Sequence, residues 1–284
     1  MNYLRFAFLT YLTLYILIPA SNSLYASSPD KSVTIGIMQD KKGSASSFAP
    51  LIKYFKTKGL DIKLLGFHSY RDAANKFKNG KIDAMFAGSG VAGIMILKDL
   101  ASPLVRPLHN GGWSTYRAVV IIPKSNNDFK LTLEYFADKK IICCALASSG
   151  EFFCNALLGK SKKLLIAGNH GNAISALSKG VADIAIVKNR VWDQVKKNYP
   201  NLKKVTQDTG ENPDWTLIVS KNLPAKIKEK LKNILLNLGT DSSPEAYSVR
   251  NSLKIKGYIP TNIEDFKHTL QLLKKAGIDK DFKF

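Results

Sequence analysis

The order of apolar and polar residues along this chain repeats once, 100 residues apart. From Tyr70 the chain reads YRDAANKFKNGKIDAMFAGS, and from His170 it reads HGNAISALSKGVADIAIVKN. In each copy, apolar residues at helical spacing (Ala73, Ala74 and Phe77; Ala173, Ile174 and Leu177) mark one face of a short helix. A glycine follows (Gly80, Gly180), the residue with which helices often end at positive φ. Three residues further stands an aspartate (Asp83, Asp183), and then an apolar run with the character of a buried strand. The pattern is helix, glycine cap, turn, strand, given twice. A period this long and used only twice predicts two similar α/β lobes rather than a solenoid.

The segments ahead of the repeats match as well. SVTIGIM (Ser32–Met38) and KIICCA (Lys140–Ala145) read as first strands, each followed by a loop of small polar residues and a helix. DIKLL (61–65) and KLLI (163–166) read as second strands. Strand, helix, strand, helix, strand in each half predicts two open, mostly parallel sheets flanked by helices, with ligand sites beyond the carboxyl ends of the strands. YRAVVIIP (Tyr116–Pro123) and WTLIVS (Trp215–Ser220) lie outside the repeat and read as the two crossover strands. The expected division is residues 27–118 with 214–284 as one lobe and 119–213 as the other. The tail reads as three helices: from Leu223-Pro224 to Gly239, from Ser243 to about Lys256, and from Ile263 to Ala276. A small ligand belongs in the cleft between two such lobes.

The first residues carry a different pattern. One basic residue, Arg5, precedes an apolar run of 13 residues, Phe6–Ile18, which Pro19 ends. The run is short for a bilayer span, and SNSLYA offers a cleavage site after Ala26, with cleavage after Ser23 as the alternative. Residues 1–26 therefore read as a secretory signal peptide, which places the mature chain in the periplasm. The formal net charge of +20 falls by one on its removal, since Arg5 is the only charged residue there. Such a balance favours anionic partners. The lysines are scattered, however (Lys53, Lys56 and Lys58; Lys226, Lys228, Lys230 and Lys232), and no basic block is interleaved with aromatics, so no nucleic-acid partner is expected. The three cysteines, Cys143, Cys144 and Cys154, could close a small loop in an oxidising compartment, but buried free thiols are the favoured reading. No His or Cys spacing suggests zinc, and neither metal nor cofactor is expected.

The sharpest candidate chemistry is Ala147-Ser148-Ser149-Gly150, between a strand and a helix. Free backbone N–H groups and hydroxyls at a helix start suit a small oxyanion; a plain N-cap has the same composition. His170 stands at the same edge of the second lobe. In the first lobe Tyr70 is its counterpart, Ser89 follows the third strand, and Tyr116 and Arg117 stand at a crossover. Tyrosine and histidine can donate to an oxyanion without adding a fixed charge. The chain lacks GxSxG, HExxH, a P-loop, and GxGxxG after the first strand, so an enzyme is not expected. A periplasmic hydrolase using Ser149 and His170 is the lesser alternative.

From residue 32 to about 262 the chain resembles the phosphate/phosphite/phosphonate-type substrate-binding proteins of ABC transporters, a branch of the type II periplasmic binding fold. The stretches that carry the resemblance are YRDAANKFKNGKIDAMFAGS, YRAVVIIPKSN, ASSGEFF, AGNHGNAISALSKGVADIAIV, KNLPAKIKEKLKNILLNLG and KGYIP. The resemblance implies a two-lobed clamp on a small phosphorus oxyanion, held by Ser148, Ser149, Gly150, His170, Tyr70 and Tyr116. It implies a monomer that delivers its ligand to an ABC permease of the inner membrane, or that serves a membrane sensor kinase from the same cleft. Relatives that bind aminoalkylphosphonates carry acidic residues in the second lobe. Here Asn189 stands just past the third strand instead, which favours simple phosphate, phosphite or a methylated relative.

Overall fold

The computed structural model describes residues 32–38, 44–67, 69–144, 149–158 and 164–283. The signal-peptide expectation therefore lies outside the described residues. The first half runs β1 (Val33–Met38), α1 (Pro50–Thr57), β2 (Ile62–Phe67), α2 (Tyr70–Lys78), β3 (Ala84–Ala87), α3 (Ser89–Leu97) and β4 (Ala101–His109). A two-residue strand β5 (Thr115–Tyr116) leads into β6 (Ala118–Pro123), α4 (Leu133–Ala137), β7 (Ile141–Cys144), α5 (Ser149–Leu158), β8 (Leu164–Ala167) and α6 (His170–Ser178). Then come β9 (Ile184–Lys188), α7 (Asn189–Val195), β10 (Leu202–Gln207), β11 (Asn212–Pro213) and β12 (Thr216–Ser220). The tail is α8 (Ala225–Asn237), α9 (Pro244–Leu253), β13 (Ile255–Pro260) and α10 (Lys267–Lys275).

Two sheets result. One has six strands in the order β13-β4-β12-β3-β1-β2, the other five in the order β10-β6-β9-β7-β8. Each has a parallel core of three strands (β2-β1-β3 and β8-β7-β9), extended by antiparallel strands on one side. The crossing between sheets is made by β5 and β11, which pair antiparallel with Asn212 opposite Tyr116. The longer segments expected as crossovers run straight on into the sheets, β6 beside β9 and β12 beside β3.

The repeated sequence has a local physical basis in both copies. Ser69 Oγ accepts from the Asp72 N–H and Asn169 Oδ1 from the Asn172 N–H, so each helix is capped one residue before Tyr70 or His170. Gly80 and Gly180 have φ of +65° and +74°. The next N–H in each copy, of Lys81 or Val181, reaches back to the carbonyl of Lys76 or Ala176, the closure that requires a left-handed residue. Asp83 and Asp183 then do the same work: each carboxylate accepts from a backbone N–H of the neighbouring strand segment, Thr34 at 2.8 Å and Lys140 at 2.7 Å. No atom stands within 4 Å of a Cβ placed on Gly180, so conformation alone demands glycine there. Gly180→Ala should lower the unfolding free energy by about 1 kcal/mol, read from urea unfolding curves; an unchanged midpoint would count against this.

Three strands of the two large sheets depart from the sequence reading. β4 contains Pro103 and Pro107, which argue against a paired strand. Pro103 sits beside an irregularity in the β12 pairing, and Pro107 lies beyond the stretch that β12 covers. The helix expected to about Lys256 stops at Leu253, because Lys254 turns left-handed (φ 55°) and starts β13. β10 was hidden in LKKVTQ, whose side chains are mostly half-buried or exposed.

The apolar core runs across both sheets. Val91, Ala92 and Met95 of α3, Phe152, Phe153 and Cys154 of α5, and Leu272 and Leu273 of α10 belong to one buried cluster. α10 thus lies against a helix from each half.

Candidate functional site

The C-terminal ends of β3 and β9 lie beside the β5–β11 crossing, with Ala87 opposite Thr216 and Lys188 opposite Ala118. Ser89 starts α3 just after β3, and its Oγ lies 2.6 Å from the hydroxyl of Tyr116. Both residues are buried, at 0% and 2% exposure. The pair sets two hydroxyls, each able to donate and to accept, side by side at the start of α3. Gly88 caps α3 without a side chain, so the first N–H groups of the helix have no side-chain acceptor there.

From the other sheet come His170 at the start of α6 and Lys188 at the end of β9. Lys188 Nζ stands 4.2 Å from the centroid of the Tyr116 ring, a cation–π contact. It also meets Asp214 Oδ1 at 2.5 Å. The other carboxylate oxygen of Asp214 lies 3.3 Å from His109 Nε2. Trp215, next in the chain, holds a left-handed backbone (φ 40°); strain of this kind persists where surrounding structure fixes it, often at functional sites. The turn lets the Trp215 indole pack near Phe48 while the Asp214 carboxylate points at Lys188.

The charges in the cleft set one another. Burial of Asp214 opposes its ionisation, yet the Lys188 ammonium, helped by His109, outweighs it and holds the carboxyl down at about 2. Burial pushes the His170 imidazole down to about 3, the Lys188 charge pushes the same way, and Asp214 opposes both. His170 is therefore neutral at physiological pH. Its Nδ1 is buried and has no hydrogen-bond partner among the described residues. A neutral ring with an unused polar atom suits a ligand that brings its own hydrogen-bonding group.

The remaining candidate residues divide. Gly150 is the second residue of α5, and a Cβ there would come within 3.1 Å of the Ile186 carbonyl of β9. Glycine lets the helix start approach the strand. Ser148 lies outside the described residues, as do the side chains of Tyr70 and Ser149. Asn189 is tied to the chain crossing: its Oδ1 accepts from the Arg117 N–H at 3.0 Å and its own N–H donates to the Arg117 carbonyl at 2.9 Å. Arg117 turns to the return segment, where its guanidinium meets the Asp208 and Thr209 carbonyls and the Glu211 carboxylate. None of the three cysteines is in a disulfide, and burial pushes Cys154 up to about 12. Among the described residues no cluster of His, Cys, Asp and Glu could hold a metal ion.

Residues 35–266 match the family described as ABC transporter, phosphonate, periplasmic substrate-binding protein. The chain belongs to this family. The binding protein also shares its fold with several solved structures. XAC2383 from Xanthomonas citri, bound to ATP, superposes with a TM-score of 0.71 at 16% identity, covering 87% of this chain and 97% of that one. PhnD1 from Prochlorococcus marinus, in complex with methylphosphonate, gives 0.68 at 17% identity, covering 87% and 98%. A binding protein component of an ABC phosphonate transporter from Pseudomonas aeruginosa gives 0.66 at 17% identity, covering 86% of each. Among curated proteins none matches the chain.

Sequence reasoning picked out Ser89, Tyr116 and His170 in this binding protein but passed over Lys188, Asp214 and His109. A signal for Lys188 was present: a lysine closes the otherwise apolar run IAIV, one residue before the Asn189 that drew notice. Nothing local pairs it with Asp214, 26 residues on.

Proposed function

We propose that this chain is an exported solute-binding protein that captures a small phosphorus oxyanion, such as phosphate, phosphite or a phosphonate, and delivers it to an ABC permease of the inner membrane. The observation that carries this reading is the convergence of hydrogen-bonding groups without an excess of acid. The Ser89–Tyr116 hydroxyl pair joins the edge of the six-stranded sheet to the crossing strand β5. The neutral His170, whose buried Nδ1 has no partner among the described residues, and the lysine at the end of β9 come from the five-stranded sheet. Membership in a periplasmic substrate-binding family supports the transport role, and the methylphosphonate bound by PhnD1 of similar fold supports the ligand class. Ser148, Ser149 and Gly150 at the start of α5 would hold the oxyanion from the second lobe, and Tyr70 would close from the first. Residues 27–118 with 214–284 would move as one lobe and 119–213 as the other, hinged at β5 and β11. The protein acts as a carrier, not a catalyst, and as a monomer, after cleavage of residues 1–26.

Calorimetric titration of the purified mature protein with phosphate, phosphite and methylphosphonate tests the reading. At least one should bind, and Tyr116→Phe or Ser89→Ala should weaken it by about tenfold, the value of a lost hydrogen bond to a charged group. No heat of binding from any of the three would end the proposal.

A further inference from the structure

The ion pair between Lys188 and Asp214 joins the end of β9 to the junction of β11 and β12, beside the crossing between the sheets. Its side chains are 16% and 6% exposed, with Nζ and Oδ1 2.5 Å apart. Nζ also faces the ring of Tyr116, whose hydroxyl meets Ser89. Both carboxylate oxygens of Asp214 have neighbours, Lys188 on one and His109 on the other. A buried ion pair is a poor stabilising device compared with apolar packing, so stability alone does not account for one at this place.

We propose that Lys188 sets the ligand specificity of the cleft. It acts as a built-in ammonium that occupies the Asp214 carboxylate, excludes ligands bearing a positive charge, and selects oxyanions with an uncharged substituent over zwitterionic aminoalkyl ones. This rests on the phosphorus-oxyanion reading above and names the substrate class within it. Two effects act together. A ligand ammonium entering beside Tyr116 would meet the like charge of Lys188 in a partly desolvated space, where repulsion is strong. It would also find the cleft carboxylate already taken. A phosphoryl oxygen in the same place gains the attraction of Nζ, and the neutral His170 neither repels it nor competes for it. The same pocket with an uncharged side chain at position 188 would have the opposite preference, since Asp214 would keep only His109 and would draw a cation.

The test is calorimetric titration of methylphosphonate and 2-aminoethylphosphonate into three proteins. Wild type should bind methylphosphonate at least about tenfold more tightly than the aminoalkyl ligand. In Lys188→Met the methylphosphonate affinity should fall by roughly tenfold or more and the order of the two ligands should reverse. Because Lys188→Met leaves a buried carboxylate underpaired and can impair folding, Lys188→Met/Asp214→Asn provides a second comparison. With both charges gone, the two ligands should differ by no more than a few-fold. Equal affinity of wild type for the two ligands overturns the role of Lys188, and so does a double variant that discriminates as wild type does. In either case the oxyanion reading stands. If wild type binds neither of these ligands, nor phosphate or phosphite, the oxyanion reading falls and this assignment falls with it.

Discussion

Asp214→Ala should cost the fold about 3–5 kcal/mol, the penalty for stripping one partner from a buried ion pair. Asp214 is 4% exposed, and its removal leaves the Lys188 ammonium in the cleft with no carboxylate at 2.5 Å. His109 loses the same partner. Urea unfolding of the variant beside wild type gives the number directly, and Asp214→Ala/Lys188→Met should recover most of it because the ammonium is removed together with its carboxylate. A single variant within about 1 kcal/mol of wild type, the range of an ordinary substitution, would mean that the pair is solvated in solution. The pH dependence follows from the same geometry. The folded-state carboxyl titrates at about 2, below its ordinary 3.8. The stability that Asp214 contributes is therefore complete above pH 4 and is lost as pH falls through 2.

His170 predicts a separate loss of stability in milder acid. Its imidazole titrates at about 3 in the fold against an ordinary value of 6.5. Between these values the unfolded chain takes up a proton that the folded chain refuses. Stability therefore declines as pH drops from about 6.5, by up to about 1.4 kcal/mol for each pH unit from this one group. Above pH 7 the contribution is constant. His170→Gln, which cannot protonate, should flatten the decline between pH 6 and pH 4, a window above the titration of Asp214. Chemical unfolding at a series of pH values reads the slope, and an unchanged slope in His170→Gln would place the ring in water. Ligand binding between pH 6 and 8 should show no step from this histidine.

Much of the fold was legible because its signals are local. The helical faces at Ala73 and Ala173, the glycines at 80 and 180 and the strands after Asp83 and Asp183 are each set by neighbours within a few residues, through side-chain period, left-handed backbone and capping. β4 was not legible. Its prolines argue against a paired strand, yet β12 meets Pro103 at an irregularity and only β13 stands opposite Pro107, which is decided by the neighbouring strands and not by the segment itself. β13 was overrun by the helix pattern ahead of it, since the stop at Lys254 is a left-handed lysine where glycine or asparagine would have signalled the end.

The candidate site divides on the same line. Ser89, Tyr116 and His170 could be named from sequence, because each stands next to a strand end or helix start that the local pattern locates. The bond between Ser89 and Tyr116 spans 27 residues. The partnership of Lys188 with Asp214 and the neutrality of His170 depend on burial and on charges brought in from other segments. By itself, then, the sequence determined two α/β lobes and their repeated helix-glycine-aspartate-strand unit, since hydrophobic period and backbone preference act over a few residues. Only the tertiary structure decided the electrostatic character of the cleft. Desolvation and ion pairing arise from how close remote side chains come, and no local pattern in the chain specifies that distance.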